Sequence, residues 1–186
     1  MAALLALART RSDGLTFATS GTDTSLHLRG EIIARRAGVK LEHVPYRIAA
    51  SILTDLMGGR LDLAVLTITS TALLLREGRI KGFAISSLTP LPGLPNLPPL
   101  ATQPGFTGFE MLAWQGLFAP ARTEPAISAR LATELDAMLA DAEFRQRLEN
   151  VGMTPWRKTP EEMTAMLRCE LARCEEVVRM GNIRGD

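Results

Sequence analysis

Apolar positions along the chain change their period several times, and each change marks an element. Leu15 to Thr19 is a short β-branched and aromatic run, which predicts a strand. Ser20-Gly21-Thr22-Asp23-Thr24-Ser25 follows, small or polar throughout. From Leu26 the spacing turns helical, with Leu28 and Ile32 four apart and Gly38 as the stop. Val39 to Tyr46 predicts a second strand, which Pro45 confines to a sheet edge or a strand end. Ile48 to Met57 has helical spacing and is closed by Gly58-Gly59. Leu61 to Ile68 is almost unbroken apolar, the pattern of a strand covered on both faces. A short helix over Thr71 to Glu77, capped by Thr69-Ser70, and a strand over Ile80 to Ser86 continue the rhythm. Strands alternating with helices at this spacing predict an α/β sheet with right-handed crossovers.

The rhythm breaks between Thr89 and Pro104, where Pro90, Pro92, Pro95, Pro98, Pro99 and Pro104 exclude regular structure. This segment is either an irregular surface loop or a proline-rich ligand for small recognition modules. Phe109 to Phe118 then predicts a strand, with Trp114 packed between sheet and loop or serving as a ligand platform. Beyond Ala121 the pattern is helical. Thr123 as cap and Pro125 in the first turn predict a helix through Ala140, burying Ile127, Leu131, Leu135, Met138 and Leu139. Asp141 caps a second helix bearing Phe144 and Leu148, stopped by Gly152. Thr159-Pro160-Glu161-Glu162 is a capping box. The last helix runs to about Met180, with Met163, Met166, Leu167, Leu171, Cys174, Val177 and Val178 on one face. The chain thus divides into an α/β part, 1–120, and a helical tail, 121–186.

Composition narrows the function classes. With 46% apolar residues the 186-residue chain can bury a sizeable core. Its 21 basic and 20 acidic residues nearly cancel, and no basic stripe interleaved with aromatics points to nucleic acid. No apolar run approaches the roughly 18 residues that span a bilayer. Met1 to Ala8 is apolar, but no basic residue precedes it, so it is not read as a signal peptide. Cys169 and Cys174 lie five apart in one helical pattern, unsuited to a disulfide. With two separated histidines they make no metal site. No paired carboxylates, no nucleophile with its base and no phosphate loop appear, so neither an enzyme nor a cofactor is expected.

The chemistry centres on the turn after the first strand. A strand, a hydroxyl-rich turn and a helix start form an anion trap, because first-turn N–H groups lack intrahelical partners and the helix dipole is positive there. Ser20, Gly21, Thr22, Asp23, Thr24 and Ser25 are the candidates. The alternative is that Thr22, Asp23 or Thr24 simply caps the helix. His27, just inside the helix, is either a ligand contact or a surface histidine without a task. Tyr46 lines a cleft or is plain packing. Asp55 and Asp62 serve helix and turn geometry.

The order of landmarks resembles the solute receptors of tripartite tricarboxylate transporters. The matching pieces are Phe17-Ala18-Thr19-Ser20-Gly21 with Thr24-Ser25 and His27, then His43-Val44-Pro45-Tyr46. They continue through Leu53-Thr54-Asp55-Leu56-Met57-Gly58-Gly59 with Asp62, Gly78-Arg79-Ile80 and Ala84-Ile85-Ser86-Ser87. Leu94-Pro95-Asn96-Leu97-Pro98, Gly105-Phe106, Trp114, Gly116-Leu117-Phe118-Ala119-Pro120 and Thr159-Pro160-Glu161-Glu162 complete the set. The resemblance implies one lobe of a periplasmic-binding-protein-like (type II) fold plus C-terminal helices. Residues 1–120 are expected to be the second ligand-binding lobe, and 121–186 helices that normally pack on the first. Ala2 to Arg11 resembles the helix that precedes the second lobe, so the chain reads as shortened relative to the family. The implied ligand is a small carboxylate or amino-acid-like solute, bound in the cleft and delivered by hinge closure to membrane permease subunits. The implied location is periplasmic. An exposed face where the first lobe belongs suggests a homodimer.

Three positions depart from the family pattern. Thr22-Asp23 replaces small or amide residues, and an acidic side chain there repels a carboxylate. Ile48 follows Arg47 where glycine is usual. Thr67 lies where the family carries a cleft-facing acidic residue. The alternative of another class is the effector-sensing domain of a transcriptional regulator with the same two-lobed fold. A small α/β enzyme using His27 or Asp62 would need a second polar cluster, which the sequence lacks.

Overall fold

A computed structural model describes residues 1–22, 24–91 and 93–181. Helix α1 (Ala2–Thr10) leads into β1 (Leu15–Thr19), α2 (Ser25–Ala37), β2 (Leu41–Pro45), α3 (Ala49–Met57), β3 (Leu63–Ala64) and α4 (Ile68–Arg76). The described strands form a parallel sheet in the order β2-β1-β3, with Leu15 opposite Leu41 and Phe17 opposite Leu63. Pro45 closes β2 on an outer edge, where its missing N–H costs no ladder bond.

The alternation along β1 explains the layering. Leu15, Phe17 and Thr19 point to one face, and Thr16 and Ala18 to the other. Phe17 is fully buried against α2, and a Cβ at Gly30 would stand 2.1 Å from its ring. Glycine at that position therefore lets helix and strand approach. On the opposite face Ala18 packs with Ile52 of α3 and with Leu61. Gly38, at φ 61°, ends α2 in the left-handed conformation, as the stop signal predicts.

Several predicted elements differ. Leu61 to Ile68 pairs as a strand only at Leu63–Ala64, and α4 begins at Ile68 with Thr67 as its cap position, earlier than Thr69-Ser70 suggested. Ile80 to Ser86 reduces to one parallel bridge, Ile85 with Pro99. Pro98 and Pro99 have no N–H to extend that ladder. Phe109 to Phe118 is not a strand; its anchor to the preceding segment is Met111 N donating to Ser86 O at 3.0 Å and the Ser86 hydroxyl donating to Met111 O at 2.8 Å. Trp114 meets Phe118 of its own segment, with ring centroids 6.4 Å apart. The proline-rich segment is irregular but not a mere surface loop. Leu97 and Leu100 are buried, and Leu100 joins Phe106, Phe109 and Met111 in a core cluster against Ile32, Ile33 and Leu5.

The tail comprises α5 (Pro125–Ala140), α6 (Ala142–Asn150) and α7 (Pro160–Gly181). Thr123 is not the cap of α5, since Glu124 holds that position without a side-chain cap bond, although Pro125 stands in the first turn as predicted. The caps of α6 and α7 follow the sequence. The Asp141 carboxylate accepts from Phe144 N at 2.7 Å. In the capping box Glu162 N donates to Thr159 Oγ1 at 3.2 Å, and Thr159 N donates to Glu162 Oε2 at 2.9 Å. The predicted stripe of α5 is not buried: Ile127 is 51% and Leu131 57% exposed. The spacing identified an apolar face correctly, but it is covered only in part: Leu135 and Leu139 are half-buried and no residue of α5 is fully buried.

Candidate functional site

In a parallel sheet every strand delivers the chain to the same edge. Here that edge carries the turns after β1, β2 and β3. The chain leaves β1 for one neighbour through α2, and reaches the other neighbour through α3. Helix α2 packs on β1 and β2, and α3 on β1 and β3. The edge between β1 and β3 is therefore a topological switch point, where open α/β sheets hold ligands. The strand ends stay coupled there: Val65 N donates to Ala18 O, and Tyr46 N to Thr19 O, both at 3.0 Å.

Ser20, Gly21, Thr22, Thr24 and Ser25 come together in the β1–α2 turn; Asp23 lies outside the described residues. Thr24 is the N-cap of α2, its hydroxyl accepting from His27 N at 3.2 Å. The same hydroxyl donates to Gly21 O at 3.0 Å. Capping and a ligand-facing turn are thus not exclusive. Thr24 occupies one side of the turn, while Ser25 is exposed and Ser20, Gly21 and Thr22 are half-buried. Gly21 has φ 132°, a backbone conformation side-chain-bearing residues rarely adopt.

Thr67 lies at the start of α4, reached from β3. Its hydroxyl makes no cap to its own helix and instead lies 2.9 Å from Thr69 Oγ1 and 3.3 Å from Ser70 Oγ. A second hydroxyl-rich helix N-terminus thus stands at the switch point beside the first. Neither helix has an acidic residue in its first turn. An anion at this edge therefore meets no carboxylate from the first helical turns.

Tyr46 is half-buried, and its hydroxyl donates to Asp55 Oδ2 at 2.6 Å. Asp55 also accepts from Arg60 Nε at 2.7 Å. These two hydrogen bonds hold the Asp55 carboxyl below the usual carboxylate range, and the same bond to Asp55, with burial, pushes the Tyr46 phenol up. The trio braces α3 against the end of β2. Asp62 likewise serves geometry: its carboxylate accepts from Thr16 N and Thr16 Oγ1, each at 2.9 Å.

His27 does not face the open turn. Its ring is buried and stacks on His43 of β2, centroids 3.9 Å apart and 16° from parallel, above Phe17. His43, named from sequence only as part of the family resemblance and not as a site residue, also reaches the Thr19 hydroxyl at 2.7 Å. Burial and the neighbouring His27 pull the His43 imidazole down from its ordinary 6.5 to about 4. The sequence signal for this pair lay in the register: Phe17 opposite His43 puts His43 on the sheet face that α2 covers.

A recess of about 200 Å³ lies elsewhere, in the tail, lined by Asp136, Leu139, Ala140, Arg145, Pro155, Trp156 and Arg157. Among the described residues no group of three potential metal ligands occurs, and no helix is long and apolar enough to cross a membrane.

Comparison with known proteins accounts for this architecture. The chain is 35% identical over 159 residues to the UPF0065 protein in the clcB-clcD intergenic region of Pseudomonas knackmussii, covering 86% of this chain and 94% of that one. It spans about half the length of other curated relatives that it matches. Among solved structures it superposes on R. palustris Rpa4515 with adipate at a TM-score of 0.91 and 30% identity, covering 98% of this chain and 61% of that one. MatC from Rhodopseudomonas palustris with bound malate matches at a TM-score of 0.82 and 26% identity, over 96% and 61% of the two chains. The α/β periplasmic-binding-protein-like fold is shared with these neighbours, and the regulator alternative draws no support from them. The family model for the tripartite tricarboxylate transporter family receptor matches residues 1–183, and the chain belongs to that family.

Proposed function

We propose that this chain supplies one jaw of a solute receptor that binds a small dicarboxylate, and that its role is binding without catalysis. The observation that carries this is the pair of hydroxyl-rich helix N-termini, α2 and α4, meeting at one switch point. Oriented N–H groups and the positive dipole ends stabilise a carboxylate there without a fixed cation. The proposed contacts are Ser20, Gly21, Thr22, Ser25 and Thr67, with Thr24 holding the turn and Tyr46 bracing the neighbouring loop. The ligands named for two structural neighbours, adipate and malate, support a carboxylate guest. A second lobe would close over the ligand by hinge motion, and the closed receptor would deliver it to permease subunits in the bacterial envelope.

An open edge holds a guest from one side only, so affinity for this chain alone is expected in the millimolar range, on the order of 4 kcal/mol. Titration of the labelled protein with adipate and with malate, followed by amide NMR, tests this. Shifts centred on Ser20–Thr22, Ser25 and Thr67–Ser70 are expected. Shifts confined to the tail recess near Trp156, or none at all, would overturn the proposal.

A further inference from the structure

The anion turn owes its orientation to residues that never touch the ligand. Thr19 is fully buried at the end of β1, and its hydroxyl lies 2.9 Å from Gly21 O and 2.7 Å from His43 Nε2. A carbonyl oxygen only accepts, so the single Thr19 hydroxyl proton goes to Gly21 O. The Thr19 oxygen must then accept from His43, which fixes the imidazole as the Nε2–H tautomer. Gly21 O receives a second hydroxyl, that of Thr24, at 3.0 Å. The His27 ring stacked on His43 fixes the plane of the donor.

We propose that His43 and Thr19 are positioning residues of the receptor site: their relay turns the Gly21 carbonyl inward and so presents the Thr22 N–H outward. The reason is peptide geometry. No cis peptide occurs among the described residues, and in a trans peptide the C=O and the following N–H point in opposite directions. Holding the carbonyl against the buried Thr19 hydroxyl and the half-buried Thr24 hydroxyl removes a partial negative charge from the ligand side and leaves the partial positive charge facing it. Without the relay, glycine at φ 132° has the freedom to let this peptide turn over. Asp23, the next residue, adds a negative charge in sequence, which makes the orientation of the remaining dipoles more consequential.

This inference rests on the proposed carboxylate site, but it can fail separately. Long-range proton–nitrogen NMR correlations of the histidine rings in the wild-type protein need no ligand and no mutation. The expected result is an Nε2–H tautomer for His43; an Nδ1–H tautomer overturns the relay. Thr19→Val removes the hydroxyl that holds Gly21 O, His43→Phe removes the donor that fixes that hydroxyl, both keeping bulk, and Thr19→Ser retains the whole relay. In the first two the Gly21 and Thr22 amide signals should move and adipate affinity should fall about 10-fold, the loss of one buried hydrogen bond. Thr19→Ser should stay within about 3-fold. Unchanged Gly21 and Thr22 signals in both disrupted variants would refute the relay. Wild type that ignores adipate while showing the Nε2–H tautomer would refute the carboxylate site and leave the relay standing.

Discussion

At the scale of single residues, polar side chains near the sheet edge act mostly on one another. Thr19, His43, Thr24 and Gly21 form one connected set, and Tyr46, Asp55 and Arg60 another. The first set makes stability depend on acidity. His43 titrates near 4 in the folded chain and at its ordinary 6.5 when unfolded. Between those values the unfolded state binds more protons, so stability is full above about 6.5 and declines as pH falls toward 4. His27, stacked on His43 and 3.8 Å from Glu31 of the same helix, adds to the lowering. Allowing for solvent screening of a ring that is only half-buried, about 1–2 kcal/mol is at stake. Chemical denaturation at pH 7 and pH 4.5 should show this loss in wild type and a much smaller one in His43→Phe; equal losses would remove His43 as the cause.

At the scale of elements, most helix ends and the first two strands were legible, and the later strands were not. Thr24, Asp141 and the Thr159–Glu162 box all cap where local sequence places them, because a cap needs only residues within one turn. Thr159→Ala and Thr24→Ala should each lower the unfolding free energy by about 1 kcal/mol in urea titrations. Thr24→Ala should also disturb the Gly21 amide, since it removes a second bond; Thr159→Ala should not. A Thr24 variant as stable as wild type would contradict its place as cap. Strands depend on neighbours that local sequence does not supply. Ile80 to Ser86 has strand-like residues, but its partner presents Pro98 and Pro99, so pairing ends after one bridge. Phe109 to Phe118 likewise has no neighbour to complete a ladder among the described residues.

At the scale of the whole molecule, apolar surface is left over. Leu117 is 80%, Phe118 65%, Leu171 62% and Leu131 57% exposed, and α5 and α6 bury no residue. The chain spans 61% of its adipate-bound structural neighbour. Exposed apolar residues of this kind favour self-association. Light scattering should show the average mass rising with protein concentration, and Leu117→Ser with Phe118→Ser should suppress the rise. A monomer that persists at high concentration would rule this out.

Sequence by itself determined what is local: the helix caps, the glycine stops, the apolar face of each helix and the hydroxyl-rich turn from Ser20 to Ser25. It also carried the family resemblance, because ordered landmarks survive without coordinates. Tertiary structure decided what depends on contacts between distant segments. It set which strands pair, brought Thr67 to the same edge as Gly21, buried His27 against His43, and left α5 without a fully buried residue. The physical reason is range: a cap or turn is settled by hydrogen bonds within a few residues, whereas a sheet edge, a stacked ring pair or a covered face requires a partner whose position only the folded chain fixes.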